Sequence, residues 1–143
     1  MKLVDVFNAL GTSAEKPTSA WQSMANLKKP PKLAYKLLKY GAKLAAEYDV
    51  IEKQRVKLIY ETTGKEAGSE VRIEPGTAEF AAFIEAFNGF LGTESDLEPT
   101  GVGMDALIDA LDSEKGNVLS EADLAALEPF FTEKPGADLK LVG

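Results

Sequence analysis

Six lysines crowd into one short stretch of an otherwise acidic chain: Lys28, Lys29, Lys32, Lys36, Lys39 and Lys43, with no Asp or Glu between the first and the last. Lys32, Lys36, Lys39 and Lys43 are spaced by 4, 3 and 4 residues. In a helix that spacing stacks four ammonium groups on one face. Such a face suits a phosphate backbone or an acidic protein surface. It equally suits plain solvation, with the acidic remainder of the fold neutralising it. The chain carries 16 Lys and Arg against 23 Asp and Glu, a net charge of −7, with an isoelectric point of about 4.7. Outside the six lysines, 10 cationic residues stand against 23 acids, a balance of −13. That balance disfavours general adhesion to nucleic acid or to an anionic membrane. No RNA-binding aromatic motif or recognition-helix signature accompanies the lysines. The partner that fits this face best is an acidic protein, a second copy of the chain included.

A second candidate is the run Asp112-Ser113-Glu114-Lys115-Gly116-Asn117-Val118-Leu119-Ser120-Glu121-Ala122-Asp123, which resembles an EF-hand calcium loop. Asp112 fits the first position, Glu114 the third and Leu119 the buried eighth. Gly116 stands at the fifth position, where an oxygen ligand belongs. Asn117 stands where the sharp turn needs Gly, and Asp123 replaces the long bidentate Glu. The bland reading is a helix–turn–helix connection with a glycine turn and an N-cap at Ser120. No metal is assigned.

Catalysis finds little to work with. The chain has no Cys and no His, which removes disulfides, thiolate nucleophiles, imidazole bases and zinc sites built on either residue. Glu47, Glu52, Lys53 and Arg55 are spaced for surface ion pairs of small value. Glu94, Asp96 and Glu98 alternate as an exposed edge would. Nothing singles out two carboxylates as an acid–base pair, and no phosphate-binding loop or nucleophile elbow is present. The expectation is a protein that is not an enzyme and takes no cofactor.

These residues need elements to hold them. A chain of 143 residues, 45% apolar, is one domain with a core. No apolar run is long enough to span a membrane and no signal peptide is visible. Leu3, Val6, Phe7 and Leu10 follow helical spacing, with a short strand at Lys2–Val4 as the competing reading. A loop over 11–18 precedes a short helix over 19–27 that carries Trp21, a core anchor. After Pro30-Pro31 comes the strongest pattern, a helix from Lys32 to about Thr62. Its main stripe is Leu33, Leu37, Tyr40, Leu44, Tyr48, Ile51, Arg55 and Leu58. A second stripe, Ala34, Leu38, Ala42, Ala45, Val56 and Ile59, widens the apolar face, so more than one neighbour is expected against it. Thirty helical residues span about 45 Å, so the helix is expected to protrude or to bend near Gly41.

Glu70-Val71-Arg72-Ile73-Glu74 alternates as a half-buried strand does. Thr77 caps a helix over 78–91, whose Phe80, Phe83, Ile84, Phe87 and Leu91 form an aromatic stripe suited to an antiparallel pairing with the long helix. Ser95–Glu98 reads as a loop or an edge strand. A short helix over 104–111 follows. Ser120 and Asp123 resemble a capping box opening a helix with Leu124, Leu127 and either Phe130 or Phe131 turned inward. The fold expected is mainly α within the α+β class: an antiparallel helical hairpin with one long helix, short helices and a few short strands at one end. Residues 1–131 form the single helical domain, and 132–143 an extended C-terminal tail. Leu139, Leu141 and Val142 of the tail are expected to pair with a strand of the chain or dock on a partner.

The order of short motifs is similar to that of a family of small, uncharacterised tailed-phage and prophage proteins. The residues that carry the resemblance are Asn8-Ala9-Leu10, Pro31-Lys32, Ala34-Tyr35-Lys36-Leu37, Leu44 with Glu47, Glu52-Lys53-Gln54-Arg55, and Leu58-Ile59-Tyr60 with Gly64. Phe80, Glu85, Leu91, Thr93-Glu94, Leu119-Ser120, Asp123-Leu124 and Leu127 continue it. It covers most of residues 3 to 131, and departs in the segment holding Trp21 and in the tail beyond Thr132. The resemblance implies a phage setting and no particular activity. The expectation is a non-enzymatic phage protein, a structural or assembly component of the virion, with other phage proteins or copies of itself as partners. Its place is then the virion or the infected host cytoplasm. The rival expectation is an acidic phage-encoded inhibitor or regulator of a host or defence protein, which the −13 balance favours.

Overall fold

The computed structural model describes residues 1–64 and 73–131. It is built from helices α1 (Leu3–Leu10), α2 (Ala20–Ala25), α3 (Pro31–Thr63), α4 (Ala78–Leu91), α5 (Met104–Asp112) and α6 (Glu121–Leu127), closed by a 3-10 turn at Glu128–Phe130. This is the mainly helical fold the periodicity predicts. The starts are set by local chemistry. Ser19, Thr77 and Ser120 each accept the backbone N–H three residues on, satisfying a donor that the helix itself leaves open. Pro31 opens α3, where its missing N–H costs nothing. Gly64 closes α3 in the left-handed conformation, φ +71°, and donates its N–H to the Tyr60 carbonyl at 2.9 Å.

α3 is the spine. Its main stripe buries Leu37, Tyr40, Leu44 and Ile51, with Leu33, Tyr48 and Leu58 packed at the margin. Two aromatic groups sit along it. Trp21 of α2 meets Tyr40 at 5.7 Å between ring centroids, and Phe130 and Phe131 both pack on Trp21 at 6.2 Å. Further along, Phe7 of α1 packs between Tyr48 and Phe87 of α4, at 6.3 and 5.4 Å. Beyond α4 the chain runs back toward the start of α3. Ser95 donates to Glu47, and Glu98 accepts from Tyr40. That return makes α3 and α4 the expected hairpin.

Three expectations change. The second stripe of α3 is largely uncovered by the described residues: Leu38 is 74% exposed and Val56 41% exposed, while Ala34 and Ile59 are half-buried. The short helices reach only one side of the spine. α3 runs continuously through Gly41. A Cβ there would stand 2.9 Å from the Trp21 indole nitrogen, so glycine lets the ring lie against the helix. The aromatic stripe of α4 is only partly core: Phe87 and Leu91 are buried, while Ile84 is 36% exposed. Strands are almost absent. Among the described residues the pairing is one isolated antiparallel bridge, Lys2 with Glu94. Helical spacing takes over from Leu3; Ser95 N–H donates to the Met1 carbonyl at 2.9 Å as part of that bridge, and beyond it the Tyr40 hydroxyl holds the Glu98 carbonyl. The strand expected at Glu70–Glu74 falls mostly outside the described residues; Ile73 and Glu74 are in neither helix nor strand.

A candidate protein-docking groove

Helical spacing from Lys32 to Lys43 delivers what it promises: one wall of a groove of about 520 Å³ is Lys32, Lys36, Lys39 and Lys43, with Tyr35 and Tyr40 between them. The other wall is the return segment Asp96-Leu97-Glu98-Pro99-Thr100. That wall is fixed at several points. The buried Tyr40 hydroxyl donates to the Glu98 carbonyl at 2.7 Å. Leu97 N–H donates to Ser95 Oγ at 3.1 Å, and Ser95 Oγ donates to Glu47. Thr100 N–H donates to the Phe130 carbonyl at 2.8 Å. Burial pushes the Tyr40 hydroxyl up to about 12, and the Glu98 charge adds to the rise.

Among the described residues none of the six candidate lysines forms a salt bridge. Lys39 Nζ lies 5.5 Å from the Tyr35 ring centroid, a cation–π distance. The other two lysines do different work. Lys29 Nζ donates to the Ala25 and Leu27 carbonyls at 3.1 and 2.6 Å, closing the end of α2, and burial lowers its pKa. Lys28 is exposed, and its backbone is clasped by the Asn117 amide at 3.1 and 2.7 Å. The six-residue charge cluster therefore divides into four groove lysines and two at the α2–α3 joint. Leu139, Leu141 and Val142 lie outside the described residues.

The calcium-loop resemblance dissolves into structural roles. Gly116 makes the turn at φ +89°. Asn117 also donates to the Leu111 carbonyl at 3.0 Å, so its amide ties the loop to α5 and to Lys28. Ser120 caps α6 through the Asp123 N–H. The Asp123 carboxylate is buried and paired with Lys16, so it does not complete a capping box. No cluster of metal-type ligands occurs among the described residues. On α3, Arg55 grips Glu52 with two bonds of 3.1 and 3.0 Å, and Lys53 pairs with Asp49 at 2.9 Å. Glu47 departs from the ion-pair expectation by taking the Ser95 hydroxyl.

Sequence reasoning missed the far wall of the groove, because nothing local says that 96–100 returns to the lysine face. It also missed a second, apolar groove of about 690 Å³ beside Trp21, lined by Ala34, Leu38, Gly41, Ala42 and Ala45. Its signal was the second stripe of α3, read as buried. No helix among the described residues is long and apolar enough to cross a membrane. No family model matches the chain, and no curated protein or solved structure matches it significantly.

Proposed function

We propose that this chain is a non-enzymatic bacteriophage protein acting through protein–protein contacts, as a structural or assembly component of the virion. The observation that supports the reading is the lysine wall. Four like charges at i, i+4 spacing repel one another and weaken their own helix. No carboxylate of the described residues relieves them in a salt bridge. An acidic protein surface seated in the groove supplies that relief. The phage setting rests on the motif order set out above. The protein acts in the virion or in the infected host cytoplasm, and no cofactor enters the reading.

The test is charge reversal in the parent phage. The double variant K36E/K39E is expected to stay helical by circular dichroism and to be lost from purified particles, scored by mass spectrometry against wild type. Incorporation at wild-type copy number would overturn the role of the groove. A second reading, an acidic inhibitor of a host or defence protein, is favoured by the exposed carboxylates of Asp105, Asp109 and Asp112 on α5. It predicts a wild-type chain missing from particles and bound to a host protein in infected cells.

A further inference from the structure

The lysine wall has a counterpart elsewhere on the molecule. Asp105, Asp109 and Asp112 of α5 are spaced by 4 and 3 residues, as Lys32, Lys36 and Lys39 are on α3. At about 100° per residue each set falls within a stripe about 60° wide. The aspartates run along about 10 Å of helix and the four lysines along about 16 Å. All three aspartates are exposed, and among the described residues none of them forms a salt bridge. Ala106, exposed beside them, is small enough to let α5 approach a wall closely. The signs match on both sides of the groove. Its far wall carries Asp96 and Glu98, and the exposed Lys115, just past the end of α5, brings a positive group to meet them.

We propose that the lysine groove of one copy receives the acidic face of α5 from a second copy. The inference rests on the reading of the groove as a protein-docking surface and names its occupant. The two patches are different surfaces, so the contact is heterologous. The docked pair still presents one free groove, on one copy, and one free α5, on the other, and assembly continues head to tail until a ring closes or a filament grows. Since the contact is built from exposed charges, salt weakens it steeply.

Sedimentation velocity on the full chain tests this. The wild-type chain is expected to associate in a concentration-dependent way at about 0.01 M salt, where charges are felt over about 30 Å, and to be monomeric at about 1 M, where they are felt over about 3 Å. The neutralised variants K36Q/K39Q and D105N/D109N are each expected to be monomeric at low salt. Mixed in equal amounts they rebuild one wild-type contact and no more, so the mixture is expected to stop at two chains. A wild-type chain that stays monomeric at low salt overturns the proposal. So does a variant that assembles like wild type, or a mixture that stays monomeric. Should the wild-type chain be monomeric while K36E/K39E is still lost from particles, the groove keeps its docking role and its occupant is a different acidic protein.

Discussion

Gly41 and Tyr40 are neighbours on α3 and show how one residue sets a local packing choice. Glycine inside a helix costs about 1 kcal/mol relative to alanine. The cost persists here because a methyl group would press on the Trp21 indole from 2.9 Å, and that ring is wedged among Tyr40, Phe130 and Phe131. Gly41→Ala is therefore expected to lower stability by about 1–2 kcal/mol in urea unfolding, overpacking outweighing the helix-propensity gain. A stabilised variant would show that the ring has room to move. Tyr40 adds a titration. Its hydroxyl, pushed up to about 12, keeps its proton in the fold beyond the pH where an unfolded tyrosine, near 10, loses it. The stabilisation is fully present below pH about 10 and is lost as pH rises through about 12. Ultraviolet titration is expected to show a late-ionising tyrosine that disappears in Tyr40→Phe. Ionisation of all four tyrosines together near pH 10 would contradict the burial.

At the scale of the element, α3 has two apolar stripes with opposite fates. Leu44 is fully buried, whereas Leu38, also leucine, is 74% exposed. Leu44→Ala is expected to cost about 2–5 kcal/mol through lost burial and the cavity left behind. Leu38→Gln is expected to change stability by less than about 0.5 kcal/mol. Equal losses in thermal unfolding would mean that the second stripe is covered after all. The helix existed in the sequence as a pattern of 3s and 4s, and so did its caps at Ser19, Thr77 and Ser120. Which stripe is covered was not legible, because two apolar faces of one helix look alike until the number and placement of its neighbours are known. Strand signals were weaker still. Leu3 belongs to the helical stripe with Val6, Phe7 and Leu10, and Lys2 alone bridges to Glu94.

For the whole molecule, two exposed charged stripes of opposite sign stand on different helices. The lysines gather on one side of α3, and exposed aspartates line α5. That separation gives the groove its proposed partner and the assembly its polarity. It also fixes the sign of a stability effect. K36E/K39E removes like-charge repulsion along α3, so the variant expected to lose its place in the particle is expected to melt no lower than wild type. A large drop in melting temperature would assign the lysines to the fold instead of to a partner.

The sequence by itself determined the helical class, the limits of the long helix, the anchoring role of Trp21 and the four-lysine stripe. All of these follow from spacing along one chain, which needs no neighbour to be read. Tertiary structure alone decided that residues 96–100 face the lysines, that Asp123 serves Lys16, that Glu47 holds Ser95, and that Leu38 stays in water. Each of these depends on segments distant in the chain meeting in space, and such meetings are chosen by the packing of the whole core, which local periodicity does not encode.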